Sequence, residues 1–179
     1  MGRLTHRTAP GCTYFVTTKT WQSHAIFQVP ETAEILIECL SSYRDKGAYL
    51  LHEFVVMADH LRLLLTPGRE TSLEKALQLI KGGSSHEIHI RRGNKTQIWH
   101  AGFHEQTVRD ASDYRNKAEY IRMNPVHRSL VEKPEDWPHS SASSSFKLDA
   151  TPDQFNMLSS GAKALEARAS VVGAKAPTP

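Results

Sequence analysis

Cysteine is nearly absent: Cys12 and Cys39 are the only two in 179 residues, and they form no CxxC pair. That excludes a disulfide scaffold and a cysteine-type zinc site, and it fits a reducing compartment. Long apolar runs are missing as well. None approaches the roughly 20 residues that span a bilayer, and the first residues lack the apolar core of a secretory signal. The expectation is therefore a soluble, cytoplasmic chain with no membrane partner. An excess of one charge is also lacking, since 22 Lys and Arg against 19 Asp and Glu leave a formal net charge of only +3. So mild an imbalance is compatible with nucleic acid but does not indicate it. No internal repeat is present, and the length suits one domain with its own core.

What is present is unevenly placed. Lys81, His86, His89, Arg91, Arg92 and Lys95 crowd one segment, and Arg109, Arg115, Lys117, Arg122, His127 and Arg128 crowd another. Taken alone, each cluster is as readily a solvated face as a nucleic-acid surface. Alternation from Cys12 to Thr20 predicts a first strand. Pro30 then opens a helix carrying Ala33, Leu36, Ile37 and Leu40, which Gly47 stops. Two apolar runs, Ala48 to Met57 and Leu61 to Thr66, are split by the short break at Ala58 and Asp59 and read as a hairpin. A second helix starts near Ser72 with Leu73, Ala76, Leu77 and Ile80 on one side, and Gly82 and Gly83 are expected to kink or end it. A further strand falls within Thr96 to Val108. Asp110 or Ser112 caps a third helix that finishes near Asn124, because Pro125 disfavours helix in the residue before it. This order predicts an α+β, ferredoxin-like split βαββαβ antiparallel sheet with helices on one face. From about Ser140 the composition turns to Ser, Ala and Pro. Residues 1–140 are thus expected to form the domain and 141–179 a partly disordered tail, in which Leu158, Ala162 and Leu165 are spaced for a short helix.

Two places carry polar groups that chemistry can use. On the third helix Tyr114, Ala118 and Ile121 make the core stripe, whereas Asp113, Lys117, Tyr120 and Asn124 share another face. Periodicity alone makes Tyr120 a half-exposed ring lying over its neighbours; the sharper reading is a phenolic nucleophile beside an amide ligand. In the second run of the hairpin, alternation sends His60 and Arg62 to one side and Leu61 and Leu63 to the other. Such a polar pair on a central strand needs partners or a ligand to offset desolvation. A lone His is more often a satisfied structural residue than a metal ligand, so spacing leaves this open.

The run Phe54-Val55-Val56-Met57-Ala58-Asp59-His60-Leu61-Arg62-Leu63-Leu64-Leu65 resembles the His-hydrophobe-His strand of the small HUH tyrosine transposases. The run Glu119-Tyr120-Ile121-Arg122-Met123-Asn124-Pro125-Val126-His127-Arg128 resembles that family's nucleophile helix. The sequel Val131, Pro134, Glu135, Asp136, Trp137, Ser140 and Ser141, and the link Trp99 to Arg109, fit it too. The resemblance covers roughly residues 10 to 145 and is nearest to the REP-associated tyrosine transposases. It implies the HUH endonuclease fold and a DNA transposase or endonuclease that cuts single-stranded DNA beside a hairpin. A tyrosine attacks the phosphodiester, leaving a 5′-phosphotyrosine and a free 3′-hydroxyl that can rejoin without ATP. By position Tyr120 is the nucleophile. The resemblance makes His60 a ligand for Mg²⁺ or Mn²⁺, Asn124 a candidate further ligand or a polar support, and Arg62, Lys117, Arg122 and Arg128 contacts to phosphate or DNA. The unit is a monomer or a homodimer. An ion is useful because a phenol of pKa near 10 costs about 4 kcal/mol to ionise at neutral pH, and a nearby cation lowers that cost.

One departure stands out. Where that family has its second His, this chain has Arg62. A guanidinium has no lone pair to give. At about 5 Å and an effective dielectric of about 20 it would repel a divalent ion by roughly 6 to 7 kcal/mol. Three accounts follow: other groups (Asn124, His104, Glu105 or His52) rebuild a weaker site; Arg62 itself clamps the phosphate; or cleavage is lost while hairpin binding persists. The last makes the chain a DNA-binding protein and not an enzyme. An RNA-binding ferredoxin-like module is a weaker reading, because the usual aromatic pair on adjacent central strands is not evident.

Overall fold

The computed structural model describes residues 9, 11–93, 95–143 and 145–156. Its elements are β1 (Tyr14–Lys19), α1 (Pro30–Asp45), β2 (Tyr49–Met57), β3 (His60–Pro67), α2 (Leu73–Arg92), β4 (His104–Thr107), α3 (Ala111–Arg122) and the short α4 (Asn124–His127). The strands form one sheet in the order β2-β3-β1-β4, and every pairing is antiparallel. Among the described residues no helix is long and apolar enough to cross a membrane.

The hairpin forms because its two apolar runs meet in register, with Met57 opposite His60 across the Ala58–Asp59 break. β3 lies inside the sheet, with Leu61, Leu63 and Leu65 on one face and His60, Arg62 and Leu64 on the other. Leu61, Leu63 and Leu65 join Leu36, Leu40, Leu77 and Ile80 in the larger core, under α1 and α2. Leu64 joins Val55, Met57, Tyr114, Ala118 and Ile121 in a second core on the other face, under α3. The expected split sheet is therefore present with its two helices on one face. α3 stands outside that unit and covers the face that Val55, Met57 and Leu64 would otherwise expose.

Ser72 caps α2 by accepting from the Lys75 N–H, and the helix ends at Gly93 in the left-handed region (φ 64°). The kink expected at Gly82 and Gly83 does not occur. A Cβ on Gly83 would sit 2.8 Å from the Tyr43 ring, so this glycine serves the close approach of α1 and α2 and not a break. α3 starts where expected, with the Asp110 carboxylate accepting from the Ser112 and Asp113 N–H groups. Beyond residue 140 the chain stays on the domain. The Ser141 N–H donates to Phe54 O, Arg44 donates two hydrogen bonds of 2.7 Å to Asp149, and Phe155 stacks on Tyr114 at 5.2 Å. Contacts thus run past the expected boundary to residue 156. The helix expected around Leu158, Ala162 and Leu165 lies outside the described residues.

Candidate active site

The site lies between the α3-side face of β3 and the last turn of α3. Strand alternation places His60 and Arg62 on that face, opposite Lys19 and Thr17 of β1. His60 is 5 % exposed, and its Nδ1 lies 2.7 Å from Asp59 Oδ1. Burial holds its pKa below the ordinary histidine value, with the Arg62 and Arg128 charges adding to the effect and Asp59 opposing it. The neutral ring therefore donates Nδ1–H to Asp59 and turns a bare Nε2 inward, where it has no partner. Asn124, 4 % exposed, begins the turn after α3, and its Oδ1 is likewise buried and unpartnered. Two lone-pair atoms left unsatisfied inside a protein are unusual.

Tyr120 is the exposed member, at 42 %. Its ring meets the edge of Phe15 at 6.1 Å and the ring of His127 at 6.4 Å. The Arg62 guanidinium lies over Tyr120, 4.9 Å from the ring centre, and 6.0 Å from the Phe15 ring centre. It donates to Thr17 Oγ1 at 3.2 Å, while its Nε is buried without a partner. Phe15 pairs with Leu64, two residues along β3 from Arg62 and away from His60. The guanidinium is thus held between Thr17 and the rings of Phe15 and Tyr120. Its charge still reaches His60, as the shift of that pKa shows.

The other expected phosphate contacts separate into two kinds. Arg128 is exposed, and its charge adds to the burial that lowers the pKa of both His60 and Arg62. Lys117 and Arg122 are already engaged. Lys117 Nζ lies 2.6 Å from Asp113; burial opposes ionisation of that carboxyl, yet Lys117 and Arg109 hold it below the usual range. Arg122 pairs with the buried carboxylate of Glu53, which also accepts from Ser141 Oγ at 2.6 Å, and so ties α3 to β2. Of the groups offered as substitute ligands, His104 shares the site's face, two strands from Arg62 with Thr17 of β1 between them. Glu105 pairs with Val16 on the opposite face. His52 is spent on Thr66 Oγ1 at 2.9 Å, at the other end of the hairpin. Among the described residues no three His, Cys, Asp or Glu side chains gather as a metal cage. Asp59, which orients His60, escaped sequence reasoning; its signal was simply its place next to the histidine in the turn. Phe15, whose ring lies beside the Arg62 guanidinium, escaped it too.

The profile of the IS200-like transposases matches residues 8–124, a span that ends on Asn124 and takes in His60, Arg62 and Tyr120. The chain belongs to the IS200-like transposase family. A REP-associated tyrosine transposase of Escherichia coli is 29 % identical over 98 residues, covering 54 % of this chain and 56 % of the relative. A Haemophilus influenzae protein assigned to the same group is 28 % identical over 131 residues, covering 66 % of this chain and 74 % of that one. The solved structure of a REP-associated tyrosine transposase bound to a REP hairpin superposes with a TM-score of 0.68 at 22 % identity, covering 88 % of this chain and 95 % of the other. At that identity the match speaks for the fold. It extends the IS200-like architecture to most of the chain, including part of the segment beyond the profile's end.

Proposed function

We propose that this IS200-like transposase binds single-stranded DNA beside a hairpin, in the cytoplasm, and cuts it with Tyr120 as the nucleophile. The observation that carries the reading is the exposed Tyr120 phenol on α3, set beside the Arg62 guanidinium on a family scaffold that also buries two unpartnered lone-pair atoms, His60 Nε2 and Asn124 Oδ1. The Tyr120 oxygen attacks phosphorus and gives up its proton. The bond from phosphorus to the 3′-oxygen breaks, and that oxygen leaves as a hydroxyl after taking a proton. The 5′-phosphate stays on Tyr120, and reversal by a 3′-hydroxyl rejoins the strand.

Arg62 and Arg128 bind the scissile phosphate and offset charge that develops on its oxygens. Lys117 and Arg122 contribute less, each being held by a carboxylate. His60 Nε2 and Asn124 Oδ1 fit a divalent ion as two neutral donors, with DNA phosphate and water completing the shell. Mg²⁺ or Mn²⁺ held there would polarise the phosphate and lower the cost of the phenolate. Two neutral donors beside a guanidinium make a weak site.

That weakness supports a second reading, a hairpin-binding protein that no longer cuts. The test is strand cleavage of an end-labelled hairpin DNA with a single-stranded extension, in Mn²⁺ or Mg²⁺, by the natural chain and by Arg62→His. Cleavage by the natural chain is the expected result. Cleavage by Arg62→His alone supports the second reading, and binding with cleavage by neither refutes the first.

A further inference from the structure

At the end of β1 the chain does something the catalytic chemistry does not use. Trp21, only half-buried, lies parallel to the exposed His100 ring, with centroids 6.1 Å apart and an interplanar angle of 25°. Immediately after it, Gln22 and Ser23 both adopt left-handed backbone, φ 52° and 55°. Two successive non-glycine residues in that sparsely populated region are strained, and such strain persists only where surrounding structure holds it. Here the holding contacts are plain. Trp21 N–H donates to Ile98 O, His100 N–H donates to Lys19 O, and Lys81 Nζ reaches the carbonyls of His100 and Gly102 at 2.8 Å each. The stacked pair is thus fixed in place before anything binds.

Its position relative to the site follows from the sheet. His60 pairs with Lys19, and Lys19 accepts from His100, so these three residues lie in a row across adjacent strands on the Tyr120 face. Arg62, Thr17 and His104 make the next row. At about 4.8 Å per strand spacing, His100 stands about 10 Å from His60, a short reach for an extended strand. Thr20 Oγ1 also donates to Asp59 O at 3.0 Å, which joins the Trp21 loop to the residue that orients His60. The surface between is lined by Lys19 and His104, and its charge suits a phosphate backbone.

We propose that Trp21 and His100 form a stacking platform for one unpaired base of single-stranded DNA, next to the phosphate that Tyr120 attacks. This rests on the DNA reading above and adds a base-binding subsite to it. An aromatic face takes any base, because every base has a π-face to offer, whereas a flanking cation reads only the backbone.

The test measures binding of a hairpin DNA with a single-stranded oligothymidine extension by fluorescence anisotropy at several salt concentrations. An abasic residue is moved along the extension one position at a time. Trp21→Ala is expected to weaken binding by roughly 5- to 150-fold with the salt slope unchanged, and Trp21→Phe to restore most of the loss. One abasic position should reproduce the loss in the natural chain and add nothing to Trp21→Ala. Unchanged binding by Trp21→Ala, or a flat abasic scan, overturns the platform while leaving the DNA reading intact. If Trp21→Ala lowers thermal stability, the abasic scan of the natural chain decides by itself. Failure of the natural chain to bind the hairpin at all overturns both.

Discussion

Replacing Arg62 isolates the feature that sets this chain apart. His60 and Arg62 are two residues apart on one strand, so their positions differ by roughly 7 Å at 3.3 Å per residue. A divalent ion on His60 Nε2 at about that distance from the guanidinium is repelled by about 1 kcal/mol at a dielectric of about 80 and about 5 kcal/mol at about 20. The partly buried site lies between those limits. Removing the charge should therefore tighten ion binding by roughly 10- to 3,000-fold. Arg62→Gln removes charge without adding a strong ligand, and Arg62→His does both, so the pair separates repulsion from ligation. The assay is titration with Mn²⁺, followed by calorimetry or by the Mn²⁺ paramagnetic signal, with and without hairpin DNA. The expected order of affinity is natural chain, then Arg62→Gln, then Arg62→His. Equal affinities in all three would refute the placement of the ion on His60 and Asn124.

Three further outcomes follow from the fold. Asp149→Ala strands the Leu51 N–H and leaves the Arg44 guanidinium with only the exposed Asp45 carboxylate, removing hydrogen bonds of 2.8 and 2.7 Å; thermal unfolding should show a loss of about 2 to 3 kcal/mol, since Arg44 and Asp149 are largely but not fully buried. Gly82→Ala should raise the melting temperature by about 2 to 4 °C, because a Cβ there meets nothing within 4 Å and alanine is the better helix former, whereas Gly83→Ala should lack that gain because it meets Tyr43. Stability should fall as pH drops below about 6.5: burial depresses the pKa values of His52, His60 and His139, so the unfolded chain takes up protons first. A second fall should follow below the ordinary carboxylate range, where Asp113 and Asp149 lose their cation partners. Denaturant titrations at about pH 7.5, 6, 5, 4 and 3 check the sign.

The sheet was largely legible in the sequence because its signals are local. Apolar runs broken at Ala58 and Asp59, a capping Asp110 and the stop before Pro125 each act over a few residues. What escaped depends on partners distant in the chain. Gly82 and Gly83 read as a break until Tyr43 is seen to occupy the space beside Gly83. The stretch Ser140 to Phe155 reads as a tail by composition, yet its small hydroxyls bridge to β2 and its two phenylalanines, Phe146 and Phe155, find Phe54 and Tyr114. The face that α3 covers is invisible to periodicity, since Leu64 looks the same whichever helix lies over it. At the site, His60 Nε2 and Asn124 Oδ1 are both buried and unpartnered, and Tyr120 is exposed beside Arg62. Arg62 read as a substitution and a candidate phosphate clamp; that its guanidinium sits among Thr17, Phe15 and Tyr120 required the β1 register.

The most direct test of the central claim is the chemical identity of a covalent protein–DNA adduct. Single-stranded hairpin DNA is incubated with the natural chain and Mn²⁺, the product is denatured and digested with protease, and the nucleotide-bearing peptide is sequenced by mass spectrometry. A 5′-phosphate on Tyr120, absent from Tyr120→Phe, is the predicted result. An adduct on another residue, or one that persists in Tyr120→Phe, would contradict the account.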